Sequence, residues 1–305
     1  MFPFRRALAG LVTATACATS APPALAQSAP GTVTSRASVT GLAQLDTDLD
    51  GGGGFHWGGV IVSGSISRQF TPQWSVGVSA RYDYEDWKFD EALAAFPAGA
   101  PWGKLNRPGV GLNLTYAASP ELLFGFAPTL EWGFESGANT GDAINAGAIM
   151  TATRIFGPNR VLGLGVGVIR QIDETKVFPF LVVNWQLTER LRLTNPLPAG
   201  PAGGAGLELA YALDDQWELA GGGAYRSYRV RLKDDGPYPD GIGESTSIPL
   251  FARVGRKFGA ASRFDFYAGV AVGGRLTLMD RDGNEIARDD YKTAPAIGLT
   301  LSSRF

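Results

Sequence analysis

From Gln27 onward, apolar residues recur at every second place along the chain. Over 74–84 one parity reads Trp74, Val76, Val78, Ala80, Tyr82 and Tyr84, and the other reads Ser75, Gly77, Ser79, Arg81 and Asp83. The same contrast sets Val110, Leu112, Leu114 and Tyr116 against Gly109, Gly111, Asn113 and Thr115. Phe124, Phe126, Leu130, Trp132 and Phe134 stand against Gly125, Ala127, Thr129, Glu131 and Glu135, and Phe264, Phe266, Val270, Val272, Leu276 and Leu278 against Asp265, Tyr267, Gly269, Gly273 and Arg275. Side chains two apart share one face of a strand, so this period predicts strands with two unlike faces. No window keeps a 3.6-residue period for three turns; Asp90 to Phe96 predicts a helical turn inside a loop at most.

Alternation alone fits a soluble sandwich as well as a membrane barrel. Two features separate them. Aromatic residues stand at the ends of the apolar face, as Trp74 does opposite Tyr82 and Tyr84, and a tilted spanning strand needs about 9 to 11 residues between two aromatic girdles. The connections also alternate in length. Short turns carry a Pro, Gly or acidic residue before Trp74, Leu122, Val161, Leu191, Trp217 and Phe264. Longer or glycine-rich connections fall at 46–54, 90–106, 136–141, 173–176, 195–203, 234–244 and 280–289. Short turns at one end and long loops at the other mark the transmembrane barrel. The expected strands are 32–45, 55–70, 74–89, 107–118, 122–136, 142–156, 160–172, 177–188, 190–195, 204–213, 216–233, 245–258, 262–279 and 291–305. The fold class is therefore all-β: a closed antiparallel transmembrane β-barrel of fourteen strands, or of twelve if the short ninth is irregular. Closure is what lets a sheet sit in lipid without an unpaired edge.

The last segment repeats the alternation, with Ile297, Leu299, Leu301 and Phe305 on the apolar parity. Ending on such a Phe, it resembles the C-terminal signal of bacterial outer-membrane barrels that the barrel-assembly machinery reads; Ser303 departs from the apolar residue usual there. The stretches "LGLGVGVIRQ", "KVFPFLVVNWQLTERLRLTNP", "AGPAGGAGLELAY" and "WELAGGGAYRSYRVRL" resemble a proteobacterial outer-membrane β-barrel family known as a domain of unknown function. That resemblance implies fold and location, and no activity.

Residues 1–26 have Arg5 and Arg6, an apolar stretch from Ala7, and Ala24-Leu25-Ala26 before Gln27. This is the form of a secretory signal peptide, too short to span a bilayer, which predicts export by the Sec route and a barrel domain over 27–305. A lipid-modified Cys17 is the rival reading, disfavoured by Ala14. Cleavage would remove the one cysteine and leave 25 Lys plus Arg against 29 Asp plus Glu, a net charge of −4 with no basic excess for nucleic acid. Gly, at 41 of 305 residues, is well above the usual roughly 7%, and the mean hydropathy of −0.00 conceals the alternation.

Candidate chemistry is sparse. His56 is the only histidine, with no Ser-and-carboxylate motif of a hydrolase around it. Asp46, Asp48 and Asp50 imitate half of a calcium loop whose twelfth position is Trp57, and Asp280, Asp282 and Glu285 make another partial match. Turn chemistry accounts for both. "AGPAGGAG" has no helix after it to complete a phosphate cradle. No cofactor, metal or catalytic residue is expected.

The polar parity is more informative. The lumen-lining candidates are Arg81, Asp83, Glu131, Glu208, Arg226, Arg253 and Arg275, with Glu85, Arg107, Glu135, Arg170, Lys257 and Asp265 on the same parity. Charges of both signs either line a passage or pair to close it. The sequence thus predicts a non-enzymatic outer-membrane barrel of a Gram-negative bacterium, a passive channel for small solutes, with a non-transporting barrel of plugged lumen as the alternative. Uptake of hydrophobic compounds would need an apolar lumen path, which the mostly polar inner parity disfavours. Expected partners are outer-membrane lipid, lipopolysaccharide and the assembly machinery, with a homo-oligomer open.

Overall fold

The computed structural model describes residues 29–90, 92–197 and 206–305. The expected signal peptide and most of "AGPAGGAG" lie outside the described residues. Within them, fourteen strands close into one antiparallel ring. β1 (Val33–Asp48), β2 (Gly54–Gln69), β3 (Trp74–Phe89) and β4 (Lys104–Ala117) are followed by β5, Leu122–Trp132 with a short continuation Phe134–Glu135. Then come β6 (Ile144–Ile155), β7 (Arg160–Gln171), β8 (Glu174–Gln186), β9 (Leu191–Thr194) and β10 (Gly206–Ala212). β11 runs as Trp217–Ala224 and Arg226–Arg231, β12 as Ile242–Phe258, β13 as Ser262–Met279, and β14 as Glu285–Tyr291 and Ala294–Arg304. β9 is short but pairs on both sides, with β8 and β10, so the twelve-strand count does not hold.

β14 closes the ring against β1, in register from Arg36↔Arg304 to Gln44↔Ala296. The last residue is held: the Phe305 amide donates to the Ser35 carbonyl at 2.9 Å, and the Ser35 amide donates back at 3.0 Å. Ile297, Leu299, Leu301 and Phe305 all project outward and are exposed.

One end of the barrel consists of tight turns at 70–73, 118–121, 156–159, 187–190, 213–216 and 259–261. The first residue or two of these turns carries the reason. Thr71, Ser119, Thr188 and Asp214 each accept, through a side-chain oxygen, the backbone N–H groups two and three residues ahead. These are ST and Asx turns, the local competition with the ladder that reverses a chain. At the opposite end the connection between β7 and β8 is also tight, not long as its sequence suggested, with Ile172 in the left-handed region.

The outside is girdled by exposed apolar side chains such as Val62, Val78, Leu112, Met150, Leu164, Leu219 and Leu250. Outward aromatics gather at the tight-turn end, where Trp74 lies 4.8 Å from Tyr116 and Phe156 5.5 Å from Trp185. The expectation of two outer girdles holds at that end. At the long-loop end many aromatics turn inward: Phe55, Trp57, Trp87, Tyr228 and Tyr291 are buried in one cluster.

Two local devices redirect side chains there. Gly273 and Gly274 on β13 oppose Ser247 alone, with Gly273 at φ 58°, which only glycine adopts without strain. This bulge reverses the parity of everything after it. Leu276 and Leu278, expected outside, are fully buried inside; Arg275, expected inside, turns out. The second device is a break at Tyr225 opposite Ile248 and Pro249, where no pairs join Gly223↔Leu250 to Arg226↔Ser247. Proline has no N–H to give a ladder. Beyond this break β11 crosses the interior on its hairpin partner β12, which stays paired with β13 as far as Ile242↔Met279, and β11 from Ser227 to Arg231 is buried on both faces. Its Arg231 amide donates to the Gly133 carbonyl of β5 at 2.8 Å, six strands away around the ring.

Candidate functional site: the barrel lumen

Three clusters of charge occupy the lumen. Nearest the tight-turn end, Arg253 on β12 has no exposed side-chain surface. It donates to Glu208 of β10 at 2.5 and 3.1 Å, to Glu218 of β11 at 2.7 Å and to Asp265 of β13 at 2.7 Å. Arg263 joins from the mouth, 2.7 Å from both Glu218 and Asp265. All five side chains come from adjacent strands, so this cluster lies along one wall.

The second cluster bridges the barrel. Arg81 and Asp83 form a two-pronged pair at 2.5 and 2.8 Å, and Arg107 of β4 reaches Asp83 at 2.9 Å and Glu85 at 3.0 Å. Across the lumen, Arg226 of β11 pairs with Glu85, and the Tyr228 hydroxyl donates to the same carboxylate at 2.6 Å. The Arg107 guanidinium lies 3.9 Å from the Tyr228 ring centroid, a cation–π contact. Glu131 stands beside this group, opposite Gly109 and Asn145 in the ladders.

The third cluster pins the crossing hairpin to the far wall. Arg229 holds Asp173 of the β7–β8 turn and Glu174 at the start of β8 at 2.7 Å each and Glu244 at 2.9 Å, and Lys176 of β8 lies 2.8 Å from Glu244. A charge-assisted pair is stronger than a neutral hydrogen bond, and a buried one is costly to break. The hairpin is thus latched by ions and sealed by apolar packing. From the 90–103 connection, Leu93, Phe96 and Trp102 pack onto Trp87, Tyr228, Leu232, Leu276 and Leu278. Phe55 and Trp57 stack on Trp87 at 5.3 and 5.5 Å.

Between this apolar mouth and the Arg253 cluster lies a cavity of about 60 Å³ that is partly open to its surroundings. Leu42, Gln44, Trp57, Arg226, Phe251 and Tyr267 are among its lining residues. Inward glycines do not leave equivalent room everywhere. A Cβ on Gly165 or Gly167 of β7 would collide with the Phe180 or Phe178 ring of β8, which lies over it from the paired position.

Of the candidates read from sequence, Arg81, Asp83, Glu131, Glu208, Arg226 and Arg253 are on the lumen side, distributed between the first two clusters. Arg275 is not. It pairs with Asp290 at 2.5 Å with nearly half of each side chain exposed, because the Gly273 bulge rotates it outward. Arg170 is likewise exposed outside, since its strand buries Ile169 and Gln171. Sequence reading passed over Glu218, Arg263, Arg229 and Glu244. An Arg two residues before an Asp on one parity, as in 81/83 and 263/265, was a usable signal for two of the pairs.

The loop motifs resolve into turns and exposed pairs. His56 Nδ1 is 2.8 Å from Asp46 on the outer surface, and Asp48 pairs with Lys292 at 3.0 Å, so those carboxylates point apart. Asp280 accepts the Asp282 and Asn284 amides and the Asn284 side chain, and these donors hold its carboxyl below the usual range. Among the described residues no three His, Cys, Asp or Glu groups are arranged to hold a metal ion.

No family model matches the sequence, and no curated protein matches it. Solved structures similar in outline include an outer membrane channel from Pseudomonas putida F1, at 10% identity over 93% of this chain and 97% of that one, with a TM-score of 0.48. The P. putida toluene transporter TodX is similar at 11% identity over 91% of both chains, TM-score 0.43, and the translocator domain of the autotransporter NalP from Neisseria meningitidis at 12% over 90% of both, TM-score 0.33. All three scores lie below 0.5, and what this barrel does is read from its own geometry.

Proposed function

We propose that this chain is an integral outer-membrane barrel that passes small solutes, with the crossing hairpin setting the width of the passage. The observation that carries this reading is a ring with an apolar outside and charged inside that still encloses a partly open cavity. Lipid takes the outer belt, because every backbone polar group of a closed ring is satisfied within it. In this reading 1–26 is removed on export, the tight turns face the periplasm, lipopolysaccharide meets the long-loop end, and Ile297, Leu299, Leu301 and Phe305 present the assembly signal. The protein is not an enzyme in this account.

A plugged, non-transporting barrel is the second reading, favoured by the cross-lumen contacts of Arg226 and Tyr228 with Glu85. Planar-bilayer recording of the refolded protein separates the two. A conduit gives steps of conductance whose reversal potential, under a salt gradient, shifts toward cations when Arg226→Gln removes a positive charge from the cross-lumen cluster. Silence of wild type and variant alike refutes the conduit.

A further inference from the structure

The lumenal cavity has an unusual chemical lining. Its walls are mostly apolar, from Leu42, Trp57, Phe251 and the small residues of β13, yet two polar side chains that line it lack partners. The Gln44 Nε2 group and the Tyr267 hydroxyl are both buried without a hydrogen bond, in residues only 4% and 3% exposed. An unsatisfied buried donor costs roughly 1–3 kcal/mol, so such groups are rare unless something completes them. Neighbouring polar groups are already engaged. Arg226, at the upper rim, is committed to Glu85 and lies 5.0 Å from the Trp57 ring centroid; Arg253, below, is surrounded by carboxylates. Tyr267 is fixed by edge-on packing against Phe251 at 5.8 Å. Its ring is held in place while its hydroxyl is left over.

From this combination we propose that the cavity is a binding site for a small, uncharged, largely apolar molecule, flat enough to lie against Trp57 and Phe251 and carrying one hydroxyl oxygen. Phenolic compounds are the simplest members of the class. The hydroxyl oxygen accepts from Gln44 Nε2, and Tyr267 supplies a second polar contact. A charged ligand is disfavoured, because no uncommitted charge faces it. The two engaged arginines would have to give up carboxylates to bind an anion, and a buried cation would lack a free acid. Sites of this kind, apolar with a few placed polar groups, are how small molecules are selected. The proposal names a solute class for the passage and rests on the conduit reading for the route by which the ligand arrives.

The test is equilibrium binding, which needs no current. p-Cresol and p-xylene have nearly the same shape and differ by a hydroxyl in place of a methyl. Titration calorimetry of the refolded barrel, corrected for partition into protein-free micelles, is expected to give about tenfold tighter binding of p-cresol, the value of one well-made hydrogen bond. Tyr267→Phe and Gln44→Leu should each reduce that preference and together abolish it, while p-xylene binding persists. Both variants should keep or raise thermal stability without ligand, since each removes an orphan polar group. Equal binding of the two probes, no binding of either, or a preference unchanged in the double variant overturns the proposal. Destabilisation by both variants with the preference intact assigns the groups to structure and overturns it as well. A silent bilayer with cresol-selective binding would refute the conduit and leave the site standing; conductance without selective binding would do the reverse.

Discussion

Arg253→Met is the most demanding perturbation of the lumen. The wild-type guanidinium is sealed from solvent and satisfies Glu208 with two hydrogen bonds, Glu218 with one and Asp265 with one. Arg263 still serves Glu218 and Asp265 when Arg253 is gone, but Glu208, with 1% of its side chain exposed, has no other salt-bridge partner among the described residues. The loss is therefore that of a buried pair broken from one side, about 3–5 kcal/mol, and not the sum of four contacts. Neutralising the stranded group is the internal check. Glu208→Gln combined with Arg253→Met should recover about 1–3 kcal/mol of that loss, the range of coupling between touching residues. Arg275→Met, which breaks an exposed pair with Asp290, should cost about 0–1 kcal/mol. Urea unfolding in lipid vesicles, followed by tryptophan fluorescence, measures all four proteins. A cost for Arg253→Met no larger than for Arg275→Met, or a double variant no better than the single, would refute the cluster's place in holding the wall together.

Two other outcomes follow from the faces of the strands. Leu112→Arg puts charge on the exposed apolar belt and should cost roughly 2–4 kcal/mol on folding into vesicles, whereas Asn113→Arg, one place along, should fold with nearly wild-type yield; equal yields would mean the faces are misassigned. Gly273→Val forces a β-branched residue to φ 58° and should lose about 1–3 kcal/mol, with Gly273→Asn milder, and a neutral Val would show that the bulge does not govern the parity of β13.

The barrel was legible because lipid and lumen impose opposite demands on successive residues, and period two survives in strands such as β3 and β4 from end to end. Even the closing contact of Phe305 with Ser35 follows from that rule. What stayed hidden has a common cause: positions where the period changes phase. The Gly273–Gly274 bulge moved Arg275 out and Leu276 in, and a glycine pair reads the same whether it bulges or merely packs. The Tyr225 break turned a single expected strand over 216–233 into a wall segment and a crossing segment, and burial on both faces cannot be inferred from "RSYRVRL", whose charges suggest a solvated strand. Its arginines are satisfied from several other segments: Arg226 by Glu85, Arg229 by Asp173, Glu174 and Glu244, and Arg231 by the carbonyls of Asp142, Asp240 and Arg281. Within the lumen, charged residues on strands of unbroken period, such as Arg81, Asp83, Glu208 and Arg253, were readable, while Glu218, Arg263, Arg229 and Glu244 were not; which of them meet was not readable, apart from the Arg-x-Asp pairs.

In a simple cylinder the strand number and stagger dictate the bore from one end to the other. Here the crossing hairpin separates architecture from aperture. The fourteen-strand circumference governs the tight-turn end; in the proposed conduit the opening at the other end is set by a few contacts, Arg226 with Glu85, Arg229 with Asp173, and Trp102 against Trp87. Substitutions at those contacts can resize the opening while every wall ladder stays in register. On the conduit reading, a lineage of such barrels is free to diverge in what it admits while the apolar outer ring stays as it is.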